Sequence, residues 1–212
     1  MLHPAWTGIS YGIYITEKED FLMAATEPIR DKKQLQQLAE YWMKRDNLRN
    51  YTMIVLGVCT ALRISDLLRL SWEDVYDFEC GDFRTHITVV EKKTGKQKII
   101  ALNHNAVNAL CLYFPRRRGY YIFDNNRQEN KAISRVQAWR IIRTTARAIG
   151  LAGHCIAPHS MRKSMGYHAW KAGVLPVLLM DIYNHSSFEV TRRYLGISQD
   201  DKDRVYLNLT LF

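Results

Sequence analysis

The run from Tyr51 to Leu62 is almost wholly apolar and stands alone in that respect in the sequence. Its longest uninterrupted part, Met53 to Cys59, is far too short to cross a bilayer. A stretch of this length and composition predicts a helix buried at the centre of a globular fold. The remaining segments must cover it. Leu35, Leu38, Ala39 and Trp42 recur at helical spacing after Asp31, a suitable N-cap. Ser65 to Leu70 reads as a second helical segment ending near Trp72, and Ala106 to Phe114 and Ser134 to Ile149 read as two more. Tyr167 to Ala172 and Pro176 to Tyr183 follow, punctuated by Gly173 and Pro176. Between them the period changes to two: residues 85–90 and 97–102 flank Lys93-Thr-Gly-Lys96, which predicts a β-hairpin. The expected fold is mainly α with a small antiparallel β-sheet.

The chain has 212 residues, enough for one ordinary domain with short appendages. At 47% hydrophobic and 24% charged it excludes wholesale disorder. The N-terminus lacks the basic and apolar regions of a secretory signal, so a cytoplasmic protein is expected. Cys59, Cys80, Cys111 and Cys155 are widely spaced, which favours reduced thiols over a disulfide framework. Residues 1 to about 15 mix Gly, Pro, Trp and Tyr without periodicity and read as an irregular arm. The expected organisation is an arm or linker over 1–28, one domain over 29–197 and a tail over 198–212.

A net charge of +9 points to an acidic partner, most often nucleic acid. Arg116, Arg117 and Arg118 lie beside Tyr120 and Tyr121, and Arg140, Arg143 and Arg147 share one face of a helix. Both clusters could line a phosphate-binding groove, or be ordinary solvated faces.

Four further features carry potential chemistry. Arg63 directly follows the apolar run, either as a surface group at a helix end or as a charge held inside for a ligand. His159 and Arg162 stand three apart after Pro158, so on a helix both could clamp one phosphate. Tyr194 follows His185 by nine residues, and a phenol can act as a nucleophile when cations depress its pKa or a base adjoins it. Lys93 sits at the hairpin tip, where a solvated lysine is the default.

The order Arg, hairpin Lys, His-x-x-Arg, His, Tyr resembles the catalytic set of the tyrosine recombinases, the phage-integrase-like family. The surrounding residues agree. Thr60-Ala-Leu-Arg-Ile-Ser-Asp-Leu-Leu is similar to the family's first arginine motif, and Lys92-Lys93-Thr-Gly-Lys to its hairpin lysine. Pro158-His-Ser-Met-Arg-Lys-Ser resembles its second box, and Asn184-His-Ser-Ser with Thr191-Arg-Arg-Tyr its third. The resemblance covers about residues 30 to 197. The chain departs from the family in writing Tyr183-Asn184-His185 for the usual Leu-Gly-His, in Lys163-Ser164, and in leaving no room for a separate core-binding domain.

The resemblance implies a site-specific recombinase of the DNA breaking-rejoining fold, working through a 3′-phosphotyrosyl intermediate. Tyr194 would be the nucleophile, Arg63 and Arg162 would neutralise the phosphate, and Lys93 would protonate the 5′ oxygen. His159 would serve as acid/base near the phenol, and His185 would donate a hydrogen bond. Neither metal nor other cofactor is needed. The partner is double-stranded DNA, bound as a tetramer by a chain that is monomeric when free. The tail would either pack against a neighbouring subunit in that assembly and fold back on its own chain otherwise, or simply complete its own core. Two related readings remain, a DNA-binding regulator without cleavage and a type IB topoisomerase-like activity. A zinc hydrolase built on His154, Cys155 and His159 is a reading of a different class, without the usual metal spacing.

Overall fold

The computed structural model describes residues 26–125, 128 and 130–210; the expected arm over 1–15 and the last two residues of the tail lie outside the described residues. Helix α1 spans Lys32–Met43, with the Asp31 carboxylate accepting from the Lys33 amide at 2.7 Å. Helix α2, Leu48–Cys59, buries Met53, Ile54 and Leu56. It begins and ends earlier than the apolar run suggests. Asn47 caps the Asn50 amide at 3.1 Å, and Ala61 adopts a φ of +51°, which an α-helix cannot contain.

The helical stretch expected over Ser65–Leu70 is divided. Helix α3 covers only Ile64–Leu67, and α4, Trp72–Val75, starts afresh from a Ser71–Asp74 capping box. The cause is a backbone exchange: Ile122 donates to the Leu70 carbonyl at 3.0 Å and Trp72 to the Tyr120 carbonyl at 3.1 Å. These bonds pull residues 70–72 out of helical geometry.

Strands β1 (Tyr76–Asp77) and β2 (Asp82–Phe83) form a minimal hairpin, and β3 (His86–Val90) pairs with β4 (Gln97–Ala101) in antiparallel register, Val90 opposite Gln97. There are thus two small two-stranded sheets among the described residues rather than one. Two-residue strands leave no period to read. Helices α5 (His104–Tyr113) and α6 (Arg135–Ala148) follow, capped by Asn103 and Ser134. The last four helices are α7 (Pro158–Lys171), α8 (Pro176–Tyr183), α9 (Phe188–Leu195) and α10 (Gln199–Asn208).

Helix α2 packs against α1, α5 and α7, so the apolar run is central. Its polar members are satisfied locally: Thr52 donates to the Ala109 carbonyl at 3.0 Å and Thr60 to the Leu56 carbonyl at 2.6 Å. A second buried cluster joins Ala61, Leu179, Tyr183 and Leu195. On the other side of α7, Lys163 donates to the Thr26 carbonyl at 2.6 Å and Ser164 accepts from the Ile29 amide at 2.8 Å. Residues 26–29 therefore form a strap across that helix.

The second cluster depends on a close approach at Gly166. A Cβ there would stand 2.1 Å from the Tyr183 hydroxyl oxygen, which is buried and donates to the Arg162 carbonyl at 2.8 Å. Gly166→Ala would gain about 1 kcal/mol of helix propensity. Overpacking and the lost hydrogen bond outweigh it, with an expected net destabilisation of about 2 kcal/mol in urea unfolding. A variant as stable as the parent would show that Tyr183 has room to move.

Candidate active site

Helix α7 begins with Pro158 in its first turn, and the Ala157 amide donates to the Ser160 hydroxyl at 3.2 Å. This places His159 and Arg162 one turn apart on the side facing α9. The Arg162 side chain has no exposed surface. Its Nη1 donates to the Ala61 carbonyl and its Nη2 to the Tyr183 carbonyl at 2.8 Å. The left-handed backbone of Ala61 thus presents a carbonyl to the guanidinium immediately before Arg63. Arg63 itself is half-buried, with its guanidinium turned inward. Arg63 pairs at 2.7 Å with Glu91, whose side chain is fully buried.

Tyr194 lies on α9 among rings. The His159 ring centroid is 4.9 Å away and that of His185 4.4 Å, both edge-on. The Arg162 guanidinium carbon stands 5.9 Å from the phenol centroid. His185 follows Asn184, which closes α8 in the left-handed conformation at φ +52°. The imidazole stacks on Tyr183 at 5.0 Å, and its Nδ1 shares a 3.0 Å hydrogen bond with the Thr191 hydroxyl.

Burial raises the Tyr194 pKa, outweighing the opposing charges of Arg162 and Arg63 and the Arg162 hydrogen bond. Activation by cations alone is therefore not achieved in the free protein. The alternative, an adjoining base, has the right ionisation. His159 is held down to about 3, by burial first and then by Arg162, Lys163 and Arg63. His185 is held down to about 4, again by burial and then by Arg162 and Arg63. Both imidazoles are neutral at neutral pH, and the same burial and cations make them weak bases in the free protein.

Five of the six sequence-derived residues converge. Lys93 does not join them; it is exposed in the turn between β3 and β4. The lysine that the fold turns inward is Lys98. Its Nζ is buried without a hydrogen-bond partner, and burial, with the Arg162 charge next, lowers its pKa to about 8. The strand period could have revealed it, since Lys98 alternates with exposed Gln97 and Ile99 and shares a face with buried Ile100. Glu91 carries no comparable signal. Its Oε2 accepts from Thr94 at 2.8 Å and Asn184 at 3.1 Å besides facing Arg63.

The other candidates lie elsewhere. Arg116 pairs with Asp46 at 2.6 Å, and Arg117 lies 3.8 Å over the Phe114 ring. Arg118, Arg140 and Arg147 are exposed, whereas Arg143 is half-buried and reaches the His154 carbonyl at 3.4 Å. His154 faces Glu27 at 3.4 Å while His159 turns toward Tyr194, so the proposed zinc ligands do not share a centre. Among the described residues no three His, Cys, Asp or Glu side chains converge as metal ligands, and no helix is long and apolar enough to cross a membrane. In α10 the expected fold-back is confined to Asp201, which pairs with Lys171. The helix buries none of its residues, because its apolar side chains do not face the domain.

Residues 30–200 match the model of the phage integrase family. The chain is 34% identical over 185 residues to a probable integrase/recombinase, YoeC, of Bacillus subtilis, covering 87% of this chain and 97% of that one. It is 28% identical over 157 residues to the tyrosine recombinase XerA of Pyrococcus furiosus, covering 73% of this chain and 52% of the relative. It therefore spans nearly all of the first relative and about half of the second. Among solved structures, XerA recombinase superposes with a TM-score of 0.69 at 21% identity, over 86% of this chain and 65% of that one. The DNA-bound XerH recombinase in a post-cleavage complex gives 0.67 at 18%, over 87% and 52%. These two share the fold, and the family match and the relative at 34% identity go further: the chain belongs to the phage integrase family of tyrosine recombinases.

Proposed function

We propose that this chain cuts and rejoins double-stranded DNA at specific sites, with Tyr194 as the nucleophile. The observation that carries the reading is the convergence on one phenol of two neutral imidazoles and a buried guanidinium. Tyr194 Oη attacks the phosphorus, an Oη–P bond forms and the P–O5′ bond breaks. The phenol proton passes to His159, and Lys93 on the hairpin, with Lys98 as the second ammonium in reach of the site, protonates the departing 5′ oxygen. Arg63 and Arg162 hold the non-bridging oxygens, whose added charge they neutralise without losing their own. His185 donates a further hydrogen bond. The ester keeps the bond energy, so attack by a 5′-hydroxyl restores the DNA without nucleotide or metal.

A randomised pool of nicked suicide duplexes, incubated in EDTA, tests this. The parent should form a covalent protein–DNA adduct whose sequences can be recovered and resynthesised. Tyr194→Phe should abolish the adduct while keeping DNA affinity. An adduct that persists would remove Tyr194 as nucleophile and leave Tyr206, 81% exposed on α10, as the next phenol to test.

The two histidines also predict a pH dependence of the free protein. Their folded pKa values lie below the unfolded value of about 6.5, so the fold favours the neutral form. Their stabilisation is complete above about pH 6.5 and is lost as pH falls toward the folded values. His159→Gln should show a shallower loss of urea stability between about pH 7 and 5 than the parent. An unchanged slope would mean that the imidazole is hydrated.

The two arginine clusters are proposed to hold DNA phosphates, with Arg118, Arg140 and Arg147 best exposed for it. Binding should weaken by orders of magnitude between about 50 and 200 mM salt, and Ala at these three positions should reduce the slope. A slope equal to the parent's would remove them from the interface. Active assembly is proposed to be a DNA-bound tetramer, with the tail docking on a neighbouring subunit. The support is the apolar surface of α10: Val205, Tyr206, Leu207 and Leu209 are all more than half exposed. Deleting residues 199–212 should leave a folded, DNA-binding monomer that fails to assemble. A deletion variant that assembles normally would refute the docking.

A further inference from the structure

The turn between β3 and β4 has few apolar anchors. Residues 92–97 are all exposed, and Lys92, Lys93 and Lys96 repel one another. Its position is set by two carboxylates. The Lys92 amide donates to Asp66 at 3.0 Å, and the Thr94 hydroxyl donates to Glu91 at 2.8 Å. The Glu91 oxygen that receives Thr94 also receives Arg63 at 2.7 Å and the Asn184 side-chain amide at 3.1 Å. Three segments distant in sequence therefore meet on one buried atom: the turn before α3, the hairpin and the end of α8. Burial alone would push the Glu91 carboxyl up. The ion pair with Arg63 and the hydrogen bonds from Thr94 and Asn184 hold it below its ordinary value instead, so it is an anion at neutral pH.

Asn184 occupies a left-handed position, where glycine is the least strained residue and asparagine is tolerated. The backbone of this cap needs no side chain. The Asn184 amide donates to the Asp181 carbonyl at 2.9 Å and the His185 amide to that of Met180 at 3.1 Å. What the asparagine adds over glycine is the bond to Glu91. We propose that Asn184 is a positioning residue for the reaction: its bond to Glu91 fastens the β3–β4 hairpin to the turn carrying His185. The link fixes where the hairpin lysines stand relative to the leaving 5′ oxygen. This rests on the reading above that a hairpin lysine is the general acid.

The roles can be separated with full-length protein and two versions of a duplex recovered from the adduct pool. One has an ordinary 5′-bridging oxygen at the cleaved bond. The other has sulfur there, a leaving group that needs no proton. Asn184→Gly should remain folded, since it relieves the left-handed strain and keeps the cap. It should slow single-turnover adduct formation about ten-fold on the oxygen duplex, a modest part of the 10²- to 10⁴-fold that proton transfer supplies. On sulfur its rate should return to within about two-fold of the parent's. Thr94→Val, which frees the hairpin tip from the same Glu91 oxygen, should behave alike. A parental rate on oxygen for both variants, or a defect that persists on sulfur, overturns the proposal. Lys93→Ala and Lys98→Ala test the underlying reading. Sulfur rescue of at least one upholds the hairpin acid whatever Asn184 does. Rescue of neither removes that acid, and the positioning role with it.

Discussion

A guanidinium with no exposed surface must be solvated by the protein, and Arg162 is solvated by peptide carbonyls. The Ala61 carbonyl comes from the turn between α2 and α3, and the Tyr183 carbonyl from the last turn of α8. Satisfying one side chain therefore fixes two chain reversals, and each leads directly into another site residue, Arg63 or His185. Tyr183 returns the favour by donating to the Arg162 carbonyl, so the ring that buries the charge is itself anchored to the same residue. The left-handed Ala61 and the glycine-only gap at Gly166 are local strains that this arrangement requires.

The electrostatics follow from that buried cation. Arg162, with Arg63, suppresses protonation of both imidazoles and opposes the upward shift of the phenol. A phosphodiester entering the site would add negative charge where the free protein has two guanidiniums and a single paired carboxylate, Glu91. The anion proposed as substrate would thus improve the electrostatic balance of the cluster and make a protonated imidazole easier to hold. In the proposed mechanism the neutral His159 of the free protein and a protonated His159 after attack would be two states of one proton transfer.

Much of this was legible in the sequence because the site is built on strong local signals. The apolar α2, the Pro158 helix start and the i, i+3 pair of His159 and Arg162 depend on neighbours in the chain. The β3–β4 hairpin was equally plain from its period and turn. The division of α3 from α4 was not, because it is imposed by backbone bonds to residues 120 and 122. Glu91 and Asn184 were opaque for the same reason, 93 positions apart yet joined by a hydrogen bond. Tyr183-Asn184-His185 read as a departure from the family pattern, and its left-handed φ explains why asparagine can stand where glycine is usual. Lys98 carries only the weak signal of strand alternation, which sets it on the face of buried Ile100.

The strap over residues 26–29 bears on where such a domain can be cut. Lys163 is nearly buried, and the carbonyl that receives its ammonium belongs to Thr26. Ser164, the next residue, and His168, one turn beyond it, meet the backbone of Ile29. The family match begins at residue 30, just past all three contacts. A fragment trimmed to that match would keep every proposed catalytic side chain and lose the carbonyl that solvates Lys163. Its ammonium stands 5.5 Å from the Tyr194 ring centroid, on the helix that carries His159 and Arg162. The packed domain therefore reaches past the start of the family match, at least as far as the carbonyl that holds this one amine.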